Sequence, residues 1–191
     1  MDPATVANFQ RGSAAHRVMR VDVAGFRFRV VWHGELLARL AFESAEDGLD
    51  EGDSEAGQIL GDEELGRAGA AGGGSVSVHR SLCDQLEKLL SGEPVGFGDI
   101  EVDLGWATPF QRRVLLACRR VAWGCVATYK DLAREVGSPR AARAVGNVMR
   151  ANRCPLVIPC HRVVPSSGGL GGFSAPGGVR LKQRLLAMEG F

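Results

Sequence analysis

No apolar run in this 191-residue chain approaches the roughly 20 residues that a membrane-spanning helix requires. The Met1-Asp2-Pro3 start has no basic stretch followed by an apolar one. No secretory signal is therefore expected, and the chain reads as cytoplasmic, or nuclear in a eukaryote. Regularly spaced cysteines are missing too. The five present, Cys83, Cys118, Cys125, Cys154 and Cys160, are odd in number, which argues against a secreted disulfide framework. None of them shows the two-residue spacing of a zinc ribbon, so no metal is expected. A disulfide of the kind found inside thermophile proteins stays open. Cys118 and Cys125, set in an apolar stretch, read as small buried hydrophobes. The apolar share of 45% is ordinary for a globular protein and allows a real core.

A large net charge is also absent, but the formal +1 hides an asymmetry. Residues 1–100 carry 9 Lys/Arg against 17 Asp/Glu, a balance of −8; residues 101–191 carry 14 against 5, a balance of +9. A compact basic half suits a polyanion, since each phosphate contact releases condensed counterions. A basic surface without any partner would look the same.

The acidic half reads as a small α+β unit. Met19, Val21 and Val23 alternate on one phase and Phe26, Phe28 and Val30 on the next; His33-Gly34 suggests a turn before Leu36 to Phe42. This predicts an antiparallel meander of two or three strands. Residues 44–75 turn to Gly, Ala and acid, too little apolar surface to offset ordering entropy, and are expected to form a mobile loop. Leu82, Leu86, Leu89 and Leu90 then recur at helical spacing, predicting an amphipathic helix from Val76 to Leu90.

The basic half, 101–191, reads as mostly helical. Thr108-Pro109-Phe110-Gln111 combines an N-cap, a proline at the first helical position and a capping-box Gln, predicting a helix to about Val121. Thr128-Tyr129-Lys130-Asp131 opens a short helix that Gly137 ends. Ser138-Pro139 is expected to cap another, running through Ala141, Ala142, Ala144, Val145 and Met149. Two helices around a Gly-Ser-Pro turn suggest a helix-turn-helix, although many helical hairpins bind nothing. Small residues Ala141, Ala142, Ala144 and Gly146 flank Arg140 and Arg143, a face that lets a groove wall approach closely.

Two prolines bracket a short apolar run, Pro155-Leu156-Val157-Ile158-Pro159, that delivers Cys160-His161. A thiol becomes a nucleophile only as thiolate, so it needs a base or a positive neighbour. His161 can serve directly or through one water. Adjacent residues on a strand point oppositely, so a direct bond would need turn or helical geometry here.

The string Ile158-Pro159-Cys160-His161-Arg162-Val163-Val164 resembles the active-site motif of the O6-alkylguanine-DNA alkyltransferase (methylated-DNA–protein-cysteine methyltransferase) family. Thr128-Tyr129, Arg140-Ala141-Ala142-Arg143-Ala144-Val145-Gly146, Asn152 and Glu189-Gly190 support it, in the family's order over about residues 107–190. The resemblance implies an α/β chain with an N-terminal α+β scaffold domain at 1–100 and a DNA-binding and alkyl-transfer domain at 101–191. It implies a monomer acting without cofactor on double-stranded DNA, with its helix-turn-helix in the minor groove. The alkyl group would leave O6 of guanine, with O4 of thymine left open, and stay on Cys160.

The implied roles are specific. Cys160 accepts the alkyl group, Glu189 orients His161 as base, Tyr129 donates to the guanine ring, and Asn152 ties the helix-turn-helix to the active-site segment. Arg143 fills the gap left by a flipped nucleotide, which must leave the stack because O6 lies inside it. Arg140, Ala141, Ala142, Ala144, Gly146, Arg150, Thr128 and Ser166 would meet DNA. Met149, Val163, Gly171, Phe173 and Ser174 would shape the base pocket. The sequence departs from the family pattern twice: Phe173 stands where Tyr is common, and two residues are inserted around Ala175-Pro176. Val179, Leu181, Leu185, Leu186 and Met188 read as the core face of a last helix. Two other readings compete: a damage-binding relative that repairs nothing, which would lack the acceptor thiol, and a cysteine hydrolase using Cys160, His161 and Glu189.

Overall fold

A computed structural model describes residues 16–43, 58–59 and 73–191. Three strands, β1 (His16–Val23), β2 (Phe26–His33) and β3 (Leu36–Glu43), form the antiparallel meander that the alternation predicts. Ala24 and Gly25, with φ of 49° and 78°, make the two-residue turn whose left-handed backbone matches strand twist. A two-residue strand, β4 (Gln58–Ile59), pairs parallel with β1 and completes the order β3-β2-β1-β4. It falls inside the segment expected to be loop. The rest of that expectation, 44–57 and 60–72, lies outside the described residues. Helix α1 (Gly73–Leu90) starts three residues earlier than predicted.

One face of the sheet, through Phe28, Val30, Trp32, Leu40 and Phe42, buries against Leu82, Leu86 and Leu89 of α1. The same apolar cluster takes in Cys154, Leu156, Val157, Leu181 and Leu185 from the basic half. Edge strand β3 reaches that half through its backbone as well. Leu37 N–H donates to Glu101 O (2.8 Å), Asp103 N–H to Leu37 O (2.9 Å) and Leu40 N–H to Arg153 O (2.9 Å).

The basic half holds α2 (Pro109–Arg119), β5 (Ala127–Thr128), α3 (Tyr129–Glu135), α4 (Ala142–Arg150), a 3₁₀ turn (Cys160–Arg162), β6 (Val163–Val164) and α5 (Gly178–Met188). Capping boxes close the starts of α2, by Thr108 and Gln111, and of α3, by Thr128 and Asp131. Gly137, at φ 72°, ends the α3 segment as predicted. Ser138-Pro139 does not cap α4. The Ala141 N–H bonds Ser138 O (2.9 Å), closing a turn, so the helix begins at Ala142 with no side-chain cap. Val114, Leu115 and Cys118 of α2 pack with Leu132, Val145, Val148, Ile158 and Val163 into a second core. Two expectations for the interior fail: Cys125 is exposed, as is Val179 on the outer side of α5.

Candidate active site

Everything at the site is hung from the turn that follows α4. The Asn152 side chain holds it at both ends: its Nδ2 donates to Ile158 O (2.8 Å), and its Oδ1 accepts from Cys154 N–H (3.0 Å). Between them Leu156, fully buried, sits at φ 71°. A left-handed non-glycine backbone costs about 1–3 kcal/mol and persists only where its surroundings fix it. Cys160 N–H then donates to Ile158 O (2.7 Å), and the Cys160–Arg162 turn closes with Val163 N–H on Cys160 O. This is the turn geometry that a direct Cys-His bond would require, yet among the described residues His161 Nδ1 bonds no partner, Cys160 included.

Glu189 lies just past α5, yet it is buried. Arg162 Nε donates to Oε2 (2.8 Å) and Arg162 Nη2 to Oε1 (2.9 Å), a bidentate pair. Gly124 N–H adds a bond to Oε2 (3.3 Å) and His161 Nε2 lies 2.8 Å from Oε1. Burial raises the carboxyl, but the bonds from His161 and Arg162 outweigh it and hold the group at about 2. Glu189 is thus ionised and can only accept, so His161 carries its proton on Nε2 and donates it. Burial also pulls His161 below its ordinary value, against the opposing pull of Glu189. The imidazole is neutral at pH 7, and its bare Nδ1 is buried with no hydrogen-bond partner among the described residues. Nδ1 is therefore a base with a free lone pair.

Burial pushes the Cys160 thiol above its ordinary value; the Asn152 amide and the Lys182 ammonium oppose it. Lys182 of α5 is fully buried and donates to Val163 O (2.6 Å). Cys160 opens into a cavity of about 830 Å³ whose wall also includes Tyr129, Arg143, Met149, Phe173 and Ser174. Burial, then the Cys160 sulfur, raises the Tyr129 phenol, which keeps it a proton donor at neutral pH.

Residues 109–191 match the family described as 6-O-methylguanine DNA methyltransferase, DNA binding domain. A methylated-DNA–protein-cysteine methyltransferase of Methanothermobacter thermautotrophicus is 44% identical over 112 residues, 58% of this chain and 61% of that relative. One from Sulfolobus acidocaldarius is 41% identical over 114 residues, 60% of this chain and 69% of the relative. The chain belongs to the methylated-DNA–protein-cysteine methyltransferase family. The crystal structure of Mycobacterium tuberculosis OGT in complex with DNA superposes with a TM-score of 0.70 at 29% identity, covering 91% of this chain and 92% of that one. The mixed α/β fold expected from the resemblance is thereby shown.

Among the residues that resemblance to the methyltransferase family had singled out, buried Cys160, His161 and Glu189 lie together with half-buried Asn152. Tyr129, Arg143, Gly146, Met149, Arg150, Phe173 and Ser174 converge on the cavity beside it. Val163 does not line it: it is fully buried, and its carbonyl holds Lys182. Gly171 supports the wall from behind, where its neighbour Gly172 faces the cavity. A Cβ on Gly171 (φ 69°) would stand 3.0 Å from Pro165 Cγ and 3.4 Å from the Tyr129 hydroxyl. Arg140, Arg143, Ala144 and Arg150 are exposed, and Ala141 and Ala142 are half-buried. Ser166 is exposed beyond β6, away from the cavity. The Thr128 hydroxyl is occupied by its own helix, accepting from Asp131 N–H (3.1 Å) and donating to Asp131 Oδ2 (2.6 Å).

Three participants went unassigned in the sequence: Arg162, Lys182 and Asn147, the last a cavity-wall residue. Arg162 had a findable signal. Glu189 is the sole carboxylate after Glu135, so a motif arginine had one acid within that stretch to meet.

Proposed function

We propose that this protein repairs DNA by moving an alkyl group from O6 of guanine onto Cys160, once per molecule. The observation that carries the reading is a thiol at the wall of a cavity with room for a purine, beside a neutral histidine whose Nε2 is fixed by an ionised glutamate. The Cys160 proton passes to His161 Nδ1 through one water, and the Lys182 ammonium stabilises the thiolate left behind. The sulfur attacks the carbon on O6; the new C–S bond forms as the C–O bond breaks. The electron pair flows into the guanine ring, where Tyr129 supplies a proton to the leaving base. Glu189 keeps its charge throughout and holds the imidazolium, which Arg162 alone would repel. The thioether product offers no route to hydrolysis, so the protein is consumed.

Duplex DNA is the partner in this reading. Helix α4 lies against the minor groove with its small residues, and Arg143 takes the place of the nucleotide that enters the cavity. Unstacking costs a few kcal/mol, less for an alkylated base that already pairs poorly. The acidic half serves as scaffold, gripping the Arg153-Cys154 turn through β3. The protein acts as a monomer in the cytoplasm or nucleus; among the described residues no helix is long and apolar enough to cross a membrane.

Incubation with duplex containing one O6-methylguanine, followed by peptide mass mapping, tests the reading. One methyl group on the Cys160 peptide is expected, with none on Cys83, Cys118, Cys125 or Cys154. Intact binding with no mass gain would refute transfer and leave a damage-binding protein. The same assay on O4-methylthymine DNA settles the second base.

A further inference from the structure

Cys160 is reached from two sides. Beyond the base cavity lies a groove of about 1050 Å³ between the outer face of the N-terminal sheet and the active-site segment. Arg150, Cys160, Phe173 and Ser174 line both spaces. The groove's other polar wall is cationic: Arg29 of β2, Arg39 of β3 and Arg153 join Arg150, and no Asp or Glu is among its described lining residues. The Arg153 guanidinium lies 4.5 Å over the Trp106 ring, which fixes its position. This charge is sorted against composition, since the half that supplies Arg29 and Arg39 carries a balance of −8.

We propose that this groove is a second nucleic-acid site, taking the phosphate backbone of the DNA strand that runs past the end of α4. The inference rests on the reading that α4 docks DNA. Size and charge decide the class of ligand. A groove at or beyond the ~300–1000 Å³ of small-molecule pockets is far too large for a methyl or ethyl substituent on O6. The arginines come from both sides of the groove, Arg29 and Arg39 from the sheet and Arg150 and Arg153 from the other wall, so the lining suits a ligand longer than a small acidic adduct. A nucleic-acid strand presents one charge per ~3.4 Å, and guanidinium groups bind phosphate oxygens bidentately. Arg150 joins the two surfaces, because it stands on the DNA-docking helix and in the groove wall together. The N-terminal sheet is thereby part of the DNA interface, beyond its role as scaffold.

The test compares the full chain with Arg29→Ala/Arg39→Ala and Arg29→Lys/Arg39→Lys double variants, neither site belonging to the transfer machinery. The probe is a fluorescein-labelled duplex carrying one O6-methylguanine, titrated over a range of salt concentrations. The alanine pair is expected to weaken binding several-fold at low salt and to lower the slope of log Kd against log salt by about 2, at ~0.9 per lost phosphate contact. The lysine pair should keep the wild-type slope. Methyl gain on Cys160 at saturating DNA should be unchanged in both. An alanine pair with the wild-type salt slope would overturn the proposal. So would equal weakening by both pairs, which would show that the arginines act through packing. Wild-type protein that binds duplex without gaining a methyl would sink the transfer reading alone, because the slope comparison still decides the groove.

Discussion

Burial acts on Cys160 from two directions. It disfavours the thiolate directly, and it leaves His161 neutral, so that the base is available but weak. Among the described residues the buried ammonium of Lys182 is a full positive charge that favours the ionised sulfur, which makes it the tuning group. Lys182→Met keeps the side-chain length and removes the charge. The thiol should rise, so the pH at which single-turnover transfer accelerates should move upward, with the largest loss at neutral pH. The Val163 carbonyl also loses its donor, a cost of about 1–3 kcal/mol visible as a lower Tm. Loss of rate by the same factor at every pH would show that Lys182 acts only by holding β6. Cys160, His161 and Asn152, the candidate acceptor and its neighbours, could be picked out because the motif resemblance names them, and the structure brings them together. Lys182 was not legible, since a lysine between Arg180 and Arg184 reads as a solvated charge. Its place shows only in three dimensions, where it shares the buried stripe of Leu181, Leu185 and Leu186 while Val179 turns outward.

At the scale of elements, turn chemistry was more readable than pairing. The Thr108–Gln111 capping box declared itself, and the Thr128 helix start proved to be a second one; in each the side chain satisfies a backbone donor only three residues away. Strand β4 could not be foreseen: a two-residue parallel partner for β1 leaves no local pattern. The Ser138-Pro139 pair misled because its residues suit a cap and a turn equally, and the Ala141 bond to Ser138 decides for the turn. Two predictions belong here. Arg143 stands on α4 with its side chain at the cavity and away from the His161–Glu189 group. Arg143→Ala should slow repair of duplex strongly while leaving reaction with free O6-methylguanine near wild type; equal loss on both substrates would remove its flipping role. In the loop after β6, Gly171→Ala places a methyl against Pro165 at a backbone angle that strains any L side chain. The loop should shift and carry Phe173 and Ser174 with it. A lower transfer rate on both substrates is expected, with duplex affinity kept, because α4 is untouched. Wild-type rates would show that Pro165 yields without moving the wall.

For the molecule as a whole, acid should be the weak point, and the sign follows from three buried groups. His79 of α1 packs its ring 4.5 Å from that of Trp32, with Nε2 and the indole Nε1 both buried and unpartnered among the described residues. Burial, helped by Arg17, lowers its pKa in the folded state, as burial does for His161. Unfolded, both histidines protonate near pH 6.5; folded, they resist. The unfolded state therefore binds more protons below about 6.5, and stability should decline as pH falls from there, by about 1.4 kcal/mol per pH unit for each extra proton bound. Glu189, held at about 2, adds a further loss only below its ordinary value of 4.5. Urea midpoints measured between about pH 8 and about pH 5 should be level at first and then fall. His79→Leu removes one unpartnered polar atom and one titrating group, so its midpoints should fall less steeply; a slope equal to wild type would assign the effect to His161. Trp32, against which His79 packs, belongs to the same core as Cys154, Leu156 and Val157. Acid that loosens the sheet and α1 should therefore release the turn beneath Cys160, and transfer capacity should be lost over the same pH interval as the fold, in one transition.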